Sequence, residues 1–103
     1  MITIEYSRDK LSIAARGHAN AERNRWDHDL VCAAVSTLMQ GWAYAGTRTG
    51  HVMEVLQEHG CMVAQNDPDA TPSDKLRHIF EGYVLGLKMV EENHPECVRI
   101  REA

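Results

Sequence analysis

The chain has 103 residues, 44% hydrophobic and 25% charged, with a formal net charge of -4. That length fits one domain with one modest core, residues 1–103, and leaves little over for a second module. The acidic balance argues against a nucleic-acid partner, which needs a basic stripe, and no apolar run approaches the ~20 residues of a membrane span.

The longest apolar run, Leu30 to Ala45, is interrupted by Ser36, Thr37, Gln40 and Gly41. Three cysteines, Cys32, Cys61 and Cys97, cannot all pair within the chain. There is no C-x-x-C pair and no secretory signal, so a reducing cytoplasm is the expected setting.

Ile2-Thr3-Ile4-Glu5-Tyr6 alternates apolar and polar with period two, as a half-buried strand does. Ser7 to Lys10 reads as a tight polar turn, and Leu11 to Ala15 continues the alternation. The opening segment therefore predicts a hairpin. Gly17 to His28 is polar and of mixed charge, with Trp26 its single large apolar residue. It predicts an exposed loop of about a dozen residues, a length more often functional than idle.

Asp29 then suits an N-cap, with Leu30 opening a helix and Cys32 in its first turn. This helix is expected to end near Gly46. It is apolar almost all round, and Ala33, Ala34, Gly41 and Ala43 let a neighbour approach closely. His51 to Leu56 fits a strand or a short helix. Cys61 to Gln65 fits a strand, ended by the loop Asn66 to Asp69.

A second helix opens with Thr71 as cap, Pro72 in the first turn and Asp74 near the positive end of the dipole. Leu76, Phe80, Tyr83, Leu87 and Val90 recur at helical spacing. Pro95 stops it, and Cys97 to Arg101 closes the chain as a strand. The elements predict an α+β fold: a mostly antiparallel sheet of about four strands with two main helices, in a single compact domain.

The chemistry gathers around Cys32. A thiol at a helix N-terminus is favoured as thiolate by the dipole and the unpaired N–H groups. A histidine brought alongside lowers its pKa further and carries the proton. His18, after Gly17 at a strand end, is the candidate. Taken alone, Cys32 reads better as a small buried helix residue and His18 as a structural or solvent histidine, and Asp29 reads at least as well as a cap. Ser36, one turn after Cys32, either serves the site or bonds back to its helix. A metal site from His18, His28 and Cys32 matches no standard zinc spacing, so no metal or other cofactor is expected. His51, His59, His78 and His94 read as surface residues, and Cys61 and Cys97 as inert strand cysteines.

The run Ile13-x-x-x-Gly17-His18-Ala19, followed by Asp29-x-Val31-Cys32-Ala33-Ala34-Val35-Ser36, resembles the ribosomal-processing cysteine protease family, Prp. The resemblance extends to the opening hairpin, the late helix and Pro95-x-x-Val98-Arg99. It implies a small homodimeric thiol protease. Its substrate would be a large-subunit ribosomal protein, or a phage or prophage virion protein, from which it removes a short N-terminal extension. It also implies Cys32 as nucleophile, His18 as base, and Asp29 and Ser36 in support. The family usually carries a glycine five residues before the cysteine, where this chain has Asp27. The loop here is about two residues longer than usual, and Arg23, Arg25, Trp26 and Asp27 are its expected substrate-facing residues. The alternatives are a non-catalytic dimeric module that binds a ribosomal or phage protein, and a thiol-dependent hydrolase or transferase acting on a small molecule.

Overall fold

The computed structural model describes residues 1–17 and 25–103, with residues 25–29 as helix backbone. Two antiparallel strands open the chain, β1 (Ile2–Ser7) and β2 (Ser12–Gly17). Their register, with Ile4 opposite Ala15 and Tyr6 opposite Ile13, puts the apolar set of both strands on one face. Leu11 closes the turn between them with a φ of 46°. A branched side chain rarely adopts that conformation, and burial of Leu11 in the core holds it.

Helix α1 (Arg25–Arg48) follows. Val31, Val35, Met39 and Trp42 form its buried stripe. A hairpin comes next, β3 (Met53–Glu58) and β4 (Cys61–Asn66), joined by His59 and Gly60, with Gly60 at a φ of 75°. Helix α2 (Asp74–Asn93) then buries Leu76, Phe80, Val84, Leu87 and Val90. Tyr83 is half-buried beside this stripe. Strand β5 (Val98–Glu102) ends the fold.

The sheet order is β3-β4-β2-β1-β5, antiparallel except for β5, which runs parallel to β1. This is the expected mostly antiparallel α+β architecture, with five strands rather than about four. Both helices pack on the face that carries Ile2, Ile4, Tyr6, Ile13, Ala15 and Ala64. Trp42 meets Phe80 edge-on at 5.3 Å and donates its indole N–H to the Ala64 carbonyl at 2.9 Å. One residue thus ties α1 to both α2 and β4. Gly41 allows the helices to come close, because a Cβ there would lie 2.8 Å from the Tyr83 ring.

Two expected boundaries move. Helix α1 begins at Arg25, four residues ahead of Asp29. Arg25 to Leu30 contains no Gly or Pro, and Asp27 and Asp29 suit the positive end of a helix. Helix α2 is capped by Ser73, not Thr71. The Ser73 hydroxyl accepts from the Leu76 N–H at 3.1 Å and contacts His51 Nε2 at 2.6 Å. His51 is therefore not the plain surface residue expected, since its Nδ1 also meets Thr49 Oγ1 at 3.0 Å. Among the described residues, no helix is long and apolar enough to cross a membrane.

Candidate active site

Cys32 lies on α1, half-buried, on the wall of a cavity of about 260 Å³. The cavity opens where four pieces of chain converge, one of them Ile2 at the start of β1. Helix α1 contributes Cys32, Val35, Ser36 and Met39, spaced by single turns. The end of β2 contributes Ala15, Arg16 and Gly17. The β3–β4 hairpin contributes Gln57, Glu58, Gly60, Cys61 and Met62 from the far side. The Gly17 N–H donates to the Gly60 carbonyl at 2.9 Å, which locks the last two pieces together.

Gly17 has a φ of 92°, and a Cβ on it would stand 2.5 Å from the Met1 carbonyl oxygen. Only glycine fits both the conformation and the space. The residue covalently after it is His18. His18 and Arg23 lie outside the described residues, as do the side chains of Arg25, Trp26, Asp27, His28 and Asp29.

The boundary of α1 corrects part of the local chemistry. Asp29 sits within the helix, in its second turn, and is not the N-cap. Arg25, Trp26 and Asp27, expected in a loop, form the helix start. Cys32 is consequently beyond the first turn. Its N–H and those of its neighbours are engaged with carbonyls four residues back, so the free N–H groups of the helix end are not beside the thiol.

Ser36 does share the cavity wall with Cys32. Its hydroxyl accepts from the Gln40 amide at 3.1 Å and does not bond back to its own helix backbone. A hydroxyl that accepts from Gln40 retains a proton to donate.

The other two cysteines differ from each other. Cys97 is buried just before β5. Burial pushes its thiol pKa up, and the adjacent Glu96 carboxylate adds to this by its charge and by accepting from the thiol. Both effects disfavour its thiolate. Cys61 starts β4 and shares the cavity with Cys32, a placement the sequence did not indicate. Among the described residues, no group of three or more His, Cys, Asp or Glu side chains is arranged to hold a metal.

A half-buried thiol beside a cavity bounded by a strand end and a hairpin is the setting of a thiol hydrolase. The family of the cysteine protease Prp matches residues 1–99, and the chain belongs to it. It is therefore a cysteine protease rather than a non-catalytic module. The fold matches solved structures of the essential ribosomal processing protease Prp from S. aureus. One holds a covalently linked product peptide, at 22% identity and a TM-score of 0.82, and each chain is covered in full. A second, with a substrate peptide, is 21% identical, with a TM-score of 0.82 and the same full coverage. SMU.848 from Streptococcus mutans is 25% identical with a TM-score of 0.71, over 98% of this chain and 90% of that one. No curated protein matches the chain.

Proposed function

We propose that this protease works through Cys32 as nucleophile and His18 as base, with Asp29 and Ser36 in support, and removes a short N-terminal extension from a large-subunit ribosomal protein. In a phage or prophage setting the substrate would be a virion protein. The cytoplasm is the compartment of such substrates, and a homodimer is the working form. The observation that carries this reading is that Cys32 and Gly17 line one cavity, so the residue joined to His18 stands on the wall that holds the thiol. The ribosomal substrate rests on family membership and on the likeness to a ribosomal processing protease.

In this mechanism the Cys32 thiolate attacks the scissile carbonyl carbon and a C–S bond forms. The C–N bond then breaks as His18 delivers its proton to the leaving amine. Neutral His18 takes a proton from water, the hydroxide attacks the thioester, and the extension leaves as a carboxylate while the thiolate is regenerated. Ser36, one turn from Cys32, orients a polar group at the reacting centre.

The test is the pH dependence of Cys32 alkylation by iodoacetamide, read by mass spectrometry in wild type and His18→Ala. The expected result is thiolate reactivity well below the ordinary thiol pKa of about 8.5, lost in the variant. A Cys32 that is unreactive, or indifferent to His18, refutes the dyad.

A further inference from the structure

Next to the cavity, the sheet ends in an unpaired edge. β3 is the outermost strand, bonded to β4 on one side, and none of the described residues pairs with the other. Val55 and Leu56 on it are 49% and 51% exposed. Such an edge invites an added strand. Glu54, Leu56 and Glu58 alternate onto one face, and Val55 and Gln57 onto the other. Gln57 and Glu58 belong to this edge and to the cavity wall at once. A peptide leaving the cavity on this side passes directly onto the edge.

We propose that β3 receives the extended backbone of the substrate as an additional strand, and that Glu54 and Glu58 select a segment carrying Lys or Arg at two positions four residues apart, with an apolar residue midway to face Leu56. This deepens the reading of the cavity as a peptide-cleaving site and rests on it. Main-chain bonding to a strand edge requires an extended partner and supplies affinity with little regard to sequence, while the alternate side chains supply choice. Opposite charges facing across neighbouring strands attract and like charges repel. The Gln65 amide donates to Glu54 at 3.3 Å, a neutral contact that leaves the carboxylate its charge. A second copy of the chain fits the edge poorly, since antiparallel self-pairing centred on Leu56 sets Glu54 against Glu58 twice.

The test uses Cys32→Ala protein, with Cys32→Ser as its replacement should the first be insoluble. The probes are two pools of synthetic decapeptides. One carries Lys at two positions four residues apart in an otherwise neutral sequence, and the other has Glu at both Lys positions. Amide hydrogen exchange of residues 53–58 is followed by mass spectrometry. The Lys pool should slow exchange in β3 and bind about tenfold more tightly than the Glu pool. Glu54→Lys/Glu58→Lys should invert the order of the pools. No protection of β3 by either pool, equal protection by both, or a Lys preference that survives the double substitution overturns the proposal. So does protection that needs no peptide and grows with protein concentration, which marks a second copy as the occupant. Failure of the dyad shows in the Cys32 alkylation profile, which the exchange measurement does not use, so the two failures are distinguishable.

Discussion

Gly17→Ala is the substitution on which the architecture of the site depends most sharply. Gly17 ends β2 on the cavity wall with a φ of 92°, and its N–H holds the Gly60 carbonyl at 2.9 Å. A methyl group there meets two obstacles. The left-handed conformation costs a residue with a Cβ about 1–2 kcal/mol. The Cβ would also stand 2.5 Å from the Met1 carbonyl oxygen, inside the 3.0 Å that real Cβ contacts respect. That oxygen is backbone, and the chain just after it is tied down by the Ile2 N–H on the Cys97 carbonyl at 2.8 Å. Relieving the overlap therefore moves β1 or β2 and adds about 1–3 kcal/mol.

The sum, roughly 2–5 kcal/mol, is a large share of the about 5–15 kcal/mol that stabilises a typical domain. Urea denaturation of wild type and Gly17→Ala measures it. Two controls separate the terms. Gly50 has a φ of 89° with nothing within 4 Å, so Gly50→Ala should lose only the conformational part, about 1–2 kcal/mol. Gly82 sits in α2 with open space around it, so Gly82→Ala should gain about 0.5–1 kcal/mol. Cleavage by folded Gly17→Ala should fall too, because the strand end that leads into His18 has moved. A Gly17→Ala protein no less stable than Gly50→Ala refutes the steric argument.

Three further outcomes follow from the same geometry. Ser73→Ala should cost about 1–2 kcal/mol by urea denaturation, because Ser73 caps α2 and meets His51, whereas Thr71→Ala should change little. Trp42→Phe keeps an aromatic ring but leaves part of the indole volume empty and removes the donor to the Ala64 carbonyl; the lost donor alone should cost about 1–3 kcal/mol, with the void adding to it. Cys97 has a raised thiol pKa when folded, so the unfolded chain releases that proton at lower pH. Stability should therefore decline as pH rises through the ordinary thiol range, and Cys97→Ala should flatten that decline in denaturation midpoints measured from pH 7 to pH 10.

The opening hairpin was legible because β1 and β2 are buried on one face only. Their alternation maps straight onto burial, from Ile2 to Ala15. Helix α2 was legible for the same reason at helical spacing. β3 was not, because an edge strand exposed on both faces carries no alternation: Glu54, Val55, Leu56, Gln57 and Glu58 are all exposed. The signal that finds it is the His59-Gly60 pair, a two-residue turn with glycine in the left-handed region.

The start of α1 is not legible from polarity, which loops and exposed helix turns share. A polar run without Gly or Pro extends a helix that Val31, Val35, Met39 and Trp42 already anchor. At α2 two good capping residues stand two apart, and Ser73 is the one that accepts from the Leu76 N–H and also contacts His51. At the cavity, Cys32 and Ser36 are reached through the resemblance carried by Gly17-His18-Ala19 and the run from Asp29 to Ser36. Gln57, Glu58 and Cys61 are not, because their place at the cavity follows from the pairing of β4 with β2, which no local pattern encodes.

That pairing explains why the cavity forms at this corner of the sheet. β4 lies between β3 and β2, with Arg16 opposite Cys61, so the turn at Gly60 and the end of β2 finish at the same level. Helix α1 crosses behind them and is held at β4 by Trp42 on Ala64. Three separate contacts then fix three walls: Gly17 to Gly60, Trp42 to Ala64, and Ile2 to Cys97. Gly17 and Gly60 line the cavity beside Cys32, and the other two contacts hold the elements that carry its remaining walls. Loosening any one shifts the same cavity, so their effects on catalysis should not add as independent sites do. Gly17→Ala and Trp42→Phe together should lower the cleavage rate by less than the product of their separate effects, since a wall displaced once has little geometry left to lose.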